Sequence, residues 1–204
     1  MKTSRAYEMR TRAEQTEQTR LRILDATVTL AAEKPIVAVA LPDIAKRAGV
    51  SVQTVLRQFG SRDGVFDAAE VHVRAEVIAE LVAPPGDLDA IIEALMAHYE
   101  LRGDDVLMFL GQERWEPRAA AITDEGRRMH LAWVQRVFAP FLPDDTDERE
   151  AVIDFLMVAT DVYTWKILRR DRGLSFEETA RRVRRMIEHT VQRTENVDHP
   201  LRHR

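Results

Sequence analysis

Cysteine is absent from the chain, which excludes a disulfide framework, a thiolate nucleophile and any cysteine-held metal, and permits a reducing compartment. Long uncharged apolar runs are absent as well. The most apolar stretch, residues 151–168, carries Asp154, Asp161 and Lys166, each of which would cost about 2.5–3.5 kcal/mol at a bilayer centre. No membrane span is expected. The first twenty residues, MKTSRAYEMRTRAEQTEQTR, hold no apolar segment that could act as a secretory signal, so a cytoplasmic location is expected. Period-two alternation, the mark of a half-buried strand, is not sustained anywhere. The motifs of common enzyme classes are missing too. The six histidines form no H-E-x-x-H, and there is no G-x-G-x-x-G, P-loop or G-x-S-x-G. The GDD at residues 103–105 reads as a glycine turn followed by an acidic helix start. No catalytic residue, metal site or cofactor is therefore expected.

What is present is helical. Glycine and proline act as punctuation, and 3.6-residue periodicity predicts nine helices, near residues 16–34, 42–48, 52–59, 62–82, 88–101, 105–115, 118–138, 147–172 and 176–192. The chain has four serines, and three of them, Ser51, Ser61 and Ser175, stand where a helix is expected to begin. Their hydroxyls are therefore assigned as caps for orphan backbone N–H groups rather than as nucleophiles. Ser175 with Glu178 forms a capping-box pattern, and Gly173 is placed to end the preceding helix. The net charge of −4 hides an asymmetry: residues 1–60 hold ten basic and six acidic side chains, against twenty and twenty-eight in the remainder. The basic end is where a polyanion would bind, although a charge of this size also fits a solvated surface.

The most informative stretch is DIAKRAGVSVQTVLRQFGSRDGVF, residues 43–66. Ala45 permits a second helix to approach closely, and Gly49 permits the positive φ of a sharp reversal. Val50 then plugs the corner and Ser51 starts the next helix. Val55 and Phe59 face inward, leaving Val52, Gln53, Thr54, Arg57 and Gln58 mainly outside. That is the geometry of a helix-turn-helix reader.

The run ILDATVTLAAEKPIVAVALPDIAKRAGVSVQTVLRQFGSRDGVF, residues 23–66, resembles the DNA-binding domain of the TetR family of transcriptional regulators. The likeness rests on ILDA, on DIAKRAGVS, and on the helix closed by Phe59 and SRDGVF. It covers roughly the first third of the chain; TDVYTWKILRRDRGLS, residues 160–175, resembles a segment of some members more weakly. The resemblance implies an all-α fold: a three-helix helix-turn-helix domain followed by a helical bundle for effector binding and dimerisation. The boundaries expected are a flexible basic arm over 1–15, the DNA-binding domain over 16–60, the second domain over 61–192 and a disordered tail over 193–204. By position, Val52, Gln53, Thr54 and Arg57 fall where the family's recognition helix meets base edges or flanking phosphates. Arg57 is the candidate for guanine, whose O6 and N7 match its fork. Thr54 and Gln58 are placed for phosphates, as is Arg62, where helix N-terminal amides would assist. Lys46 and Arg47 either contribute charge or form a solvated face. Lys2, Arg5, Arg10 and Arg12 either follow a minor groove or make no contact. The chain departs from the family pattern in three places. Leu56 replaces a tyrosine, Ala40 and Leu41 replace a hydroxyl-bearing cap, and Pro35 replaces a glycine.

The resemblance also implies a homodimer through the last two helices, a palindromic double-stranded DNA operator, and a small, largely apolar effector, with repression the commoner outcome in the family. Helix 151–168 is apolar on several sides, and the last helix carries Phe176, Ala180, Val183, Ile187 and Thr190 on one stripe. Arg181, Arg182, Arg184 and Arg185 are read as a charge-paired outer face. Met96, Tyr99, Met108, Phe109, Trp115, Met129, Trp133, Met157, Asp161 and Trp165 either fill a core or line an adaptable pocket, with His98 and Asp161 as polar handles. Two other readings stand beside this one: an interaction adaptor that keeps the fold without reading DNA, and an all-helical enzyme.

Overall fold

The computed structural model describes residues 2–197, with side chains over 13–192. Among the described residues there is no strand, and nine α-helices carry the fold. The helices form two compact units: one comprises the residues up to Glu76 together with Arg114–Arg118, the other Val77–Glu113 and the residues from Ala119 onward.

In the first unit, helix α1 spans Lys2–Glu33. It starts well before the predicted residue 16, taking in the segment expected as a separate arm, because no glycine or proline interrupts the chain before Pro35. The arm's arginines and lysine, residues 2–12, lie outside the described side chains. Along α1, Ile23, Leu24, Thr27, Leu30 and Ala31 are buried at helical spacing; the Thr27 hydroxyl donates to the Ile23 carbonyl at 2.8 Å, so its burial leaves no unmade bond. Pro35 ends the helix and opens a single 3-10 turn, Ile36–Ala38.

Helix α2, Leu41–Ala48, begins behind Ala40, which has no hydroxyl to cap it. Asp43 supplies the missing acceptor from within the helix: its carboxylate takes the Ala40 N–H at 3.4 Å and the Lys34 ammonium at 2.6 Å. Those partners hold the Asp43 carboxyl below its ordinary range. The helix closes at Gly49, φ +67°, with Val50 N–H bonded to the Ala45 carbonyl at 3.0 Å and Gly49 N–H to that of Lys46 at 3.3 Å. This is the paired C-terminal closure that a left-handed residue makes possible. Helix α3, Val52–Phe59, is capped by Ser51, whose hydroxyl accepts from Thr54 N–H at 3.1 Å. Helix α4, Arg62–Glu80, follows, with the Ser61 hydroxyl accepting from Gly64 N–H at 3.0 Å.

The second unit contains α5, Leu88–Gln112, one helix where two were expected. Gly103 does not break it. A Cβ there would stand 2.5 Å from the Trp165 ring, so the glycine serves close packing in mid-helix rather than a turn, and Asp104 and Asp105 are not a helix start. Helix α6 spans Pro117–Val137 and α7 spans Thr146–Ala159. The single helix predicted over 147–172 stops at Thr160. Asp161 adopts an extended backbone and accepts the Tyr163 N–H at 2.7 Å, capping a new helix, α8, Val162–Trp165. A π-helical turn, Lys166–Asp171, continues it. Gly173, φ +65°, turns the chain into α9, Phe176–Val197, whose start is capped by Ser175 accepting from Glu178 N–H at 3.2 Å. Residues 193–197 of the predicted tail are thus helical, and the rest of it lies outside the described residues. The core of this unit draws on α5, α6, α7, α8 and α9, with Trp133, Phe138, Leu156, Trp165 and Ile187 almost fully buried. Among the described residues no helix is long and apolar enough to cross a membrane, and no three His, Asp or Glu side chains are grouped to hold a metal.

Candidate nucleic-acid interface

The α2–α3 corner presents a short polar helix on a fixed base. Ile44, Ala45 and Ala48 of α2 and Val55 of α3 are buried, which fixes the rotation of α3 and decides which side chains it offers to solvent. Gln53 and Arg57, one turn apart, are exposed; Val52 and Thr54 are half-exposed beside them. The Thr54 hydroxyl lies 2.9 Å from that of Ser51, so the first turn is held by side chain as well as backbone. Gln53 and Arg57 therefore project from a rigid surface as an amide and a guanidinium, the two groups that pair bidentately with adenine and guanine edges.

The remaining sequence candidates are placed differently. Gln58, expected outside, is half-buried, with its amide oxygen out of water and without a hydrogen-bond partner among the described residues; one turn of helix carries it back toward the side of Val55. Arg47 is held by Glu33 at the end of α1 through two bonds of 2.6 and 2.7 Å, and the pairing raises the pKa of the one and lowers that of the other. Lys46, next to it, is exposed. Arg62 turns inward: its Nε donates to the Val39 carbonyl at 2.8 Å and a terminal nitrogen donates to the Ile36 carbonyl, while its guanidinium stands 4.6 Å from the centroid of the Phe66 ring. Local spacing shows that these cations are near the corner. Their partners, Glu33 and the two carbonyls, lie on other segments and leave no mark in the local pattern.

Of the candidate pocket residues in the second unit, Met96, Tyr99, Trp133 and Trp165 belong to the continuous core, and Met157 packs against it. Met108, Phe109 and Met129 are half-buried. Trp115 departs from the set: it is 57% exposed and sits in the α5–α6 corner that belongs to the first unit. Sequence reasoning named Tyr99, His98 and Asp161 but not the His130, Thr160 and Glu80 partners that make a polar seam inside this core. Tyr99 OH donates to the Thr160 carbonyl at 2.8 Å, and the Thr160 hydroxyl in turn donates to the Leu156 carbonyl at 2.7 Å. His130 Nε2 meets that hydroxyl at 2.8 Å; since the hydroxyl proton is already committed, His130 is the donor there. His98 Nδ1 lies 2.8 Å from Glu80, which also binds Arg102. Burial pushes the His98 pKa down against the opposing pull of Glu80. It pushes His130 down against that of Asp161, with His98 adding to the depression. Burial raises Glu80, but the bonds from Arg102 and His98 outweigh it and hold the carboxyl below its ordinary range. Burial, with Asp161 adding to it, holds the Tyr99 phenol protonated.

A glycine corner between two short helices, with an exposed amide and guanidinium on the second, defines a helix-turn-helix DNA-binding protein. Residues 23–69 match the family described as bacterial regulatory proteins, tetR family. The fold is similar to that of a transcriptional regulator from Rhodococcus sp. Rha1, at 21% identity and a TM-score of 0.64 over 85% of this chain and 96% of the other. It is also similar to a tetR-family transcriptional regulator from Streptomyces coelicolor, at 15% identity and a TM-score of 0.63 over 90% of each chain. No curated protein matches the chain. Residues 23–69 therefore carry the N-terminal domain of the tetR family of bacterial regulatory proteins, and the chain as a whole has the fold of such regulators.

Proposed function

We propose that this regulator is a ligand-responsive repressor that binds a palindromic operator as a homodimer. The observation that carries the DNA-reading part is the exposed Gln53–Arg57 face of a helix capped by Ser51 and fixed by buried Val55. Val52 and Thr54 flank that face and are assigned to the neighbouring base edge and phosphate, and Lys46 to a phosphate on the α2 side. Support for the dimer comes from the second unit. Phe155, Val158, Tyr163 and Ile167, between 51% and 63% exposed, form an apolar series along α7, α8 and the π turn. A patch of that kind on a soluble domain marks an interaction surface, and a two-fold dimer provides the symmetry a palindrome requires. Support for the effector comes from the polar seam of Tyr99, His130, Thr160 and Asp161 set in an aromatic core, which offers a few fixed donors and acceptors among apolar walls. Effector binding then lowers DNA affinity by the same factor by which DNA lowers effector affinity, with α4 as the moving element.

The test is binding to DNA flanking the protein's own gene under excess non-specific competitor, across a salt series. The expected result is saturable binding to one palindromic segment, with discrimination at one G·C pair falling by about 1–3 kcal/mol in Arg57→Ala. The adaptor reading draws on Arg47 and Arg62 being engaged within the chain. Failure of the wild-type chain to select any sequence from random DNA would favour it.

A further inference from the structure

Apart from the residues up to Glu76, the first unit contains one short piece of chain, Arg114–Arg118, the corner between α5 and α6. Its anchor is Arg118, whose side chain is 19% exposed. The guanidinium binds the acidic stripe at the start of α4: Asp67 at 2.8 Å, Glu70 at 2.5 Å and Asp63 at 3.6 Å. These acids recur at four- and three-residue spacing and so share one helix face. Asp63 is also 3.7 Å from Arg62, and the guanidinium centres of Arg62 and Arg118 stand 4.6 and 5.4 Å from the centroid of Phe66. Two cations thus share one ring and one carboxylate, with Asp67 and Glu70 offsetting the second charge.

From Arg62 the contacts continue to the carbonyls of Ile36 and Val39, in the segment that leads into α2. On the other side, the α3–α4 corner leaves no slack: a Cβ on Gly64 would stand 2.2 Å from the Phe59 carbonyl oxygen. The first turn of α4 therefore touches the approach to α2 and the exit of α3 at once.

We propose that Arg118 is a positioning residue of the DNA-binding unit, holding the first turn of α4 so that Arg62 and the α3–α4 corner set the attitude of the recognition helix, without itself touching DNA. The inference rests on the DNA-reading function above. It also reassigns Arg62, whose donors are engaged with protein carbonyls, from a phosphate contact to the middle of this latch. Since α5 and α6 run on into the second unit by covalent connection, the corner is a point at which a change in those helices would enter the DNA-binding unit.

The experiment uses the full chain and an operator obtained by wild-type selection from random DNA. Arg118→Gln is expected to weaken operator binding about tenfold with no change in the slope of log K against log salt, because no phosphate contact is lost. Arg118→Lys, which keeps the charge but not the fork, is expected to recover part of the loss. The decisive variant is Asp67→Asn/Glu70→Gln. Removing two negative charges from a DNA-binding unit strengthens binding if only long-range electrostatics matters, whereas loss of the latch weakens it. Tighter or unchanged binding by that variant overturns the proposal, as does a salt slope reduced by about one in Arg118→Gln. Amide hydrogen exchange on the free protein gives an answer independent of DNA. Faster exchange over residues 36–59 in Arg118→Gln, with α9 unchanged, supports the latch; unchanged exchange over 36–59 overturns it. If the wild type selects no sequence, the DNA-reading function fails while the exchange measurement still decides the latch.

Discussion

Gly49 shows how much of the reading surface depends on one residue without a side chain. At φ +67° a Cβ meets no neighbouring atom in space, so the restriction is purely one of backbone conformation. For an L-residue the left-handed region costs roughly 1–2 kcal/mol, and Gly49→Ala is expected to lower the stability of the first unit by about that amount, measured by urea unfolding followed at Trp115, the tryptophan of that unit. Operator binding should weaken with it, since the same closure sets where Ser51 begins α3. This residue was legible in the sequence, as were the three serine caps, because a cap or a reversal is decided within four residues. Asp43 was readable in principle: an acid three positions after Ala40 has the spacing of a capping box, and it bonds the Ala40 N–H as that pattern requires. Arg118 was not readable, because its acidic partners lie about fifty residues away and no local period links them.

Entire elements were misjudged where one residue has two physical uses. A glycine followed by two aspartates satisfies the pattern of a turn and helix start, yet Gly103 lies inside α5 with the Trp165 ring against it. Only the partner helix, distant in sequence, decides between the two. Gly103→Ala is therefore expected to force the ring to move and to destabilise the second unit by about 1–3 kcal/mol, the usual cost of overpacking, with a shift in tryptophan emission as the readout. Asp161 is the converse case. The apolar periodicity of 151–168 favours an unbroken helix, but the Asp161 carboxylate competes for the Tyr163 N–H, and Thr160 turns its hydroxyl back to the Leu156 carbonyl. The break lets the π turn bring Arg169 to Glu100 at 2.8 Å and Arg170 to Asp104 at 2.9 Å on α5. Asp161→Ala removes the cap and is expected to cost about 1 kcal/mol, whereas Asp161→Asn keeps an acceptor and should cost less. Thermal unfolding of the two variants side by side checks the order.

At the scale of the molecule, the apolar series on α7 and α8 and the polar seam behind it make separate demands. If the exposed series is the dimer surface, Phe155→Glu places a charge in a desolvated interface and is expected to raise the dimer dissociation constant about tenfold or more; sedimentation of the wild type and the variant over a dilution series measures it. The seam answers to protons instead. His98 faces Glu80 and Arg102, His130 faces Asp161 and the Thr160 hydroxyl, and His98 disfavours protonation of His130. Both folded-state pKa values lie below the ordinary 6.5. Between the folded and unfolded values the unfolded chain binds more protons, so stability rises with pH through that window and falls as pH drops below about 6.5. Glu80 has the opposite charge type. Its folded value lies below 4.5, so its contribution is complete above that pH and is lost only as pH falls further. The two effects therefore occupy different windows. Urea unfolding of the second unit, followed at Trp133 and Trp165 between about pH 7.5 and 5, is expected to show declining stability in the wild type. A His98→Gln/His130→Gln variant should show a flatter profile over the same range. An equally steep decline in the double variant would remove these two histidines from the account. A flattened decline would mean that burial keeps His98 and His130 neutral in the folded chain, so that any effector reaching them meets uncharged imidazoles beside the Glu80–Arg102 pair and Asp161.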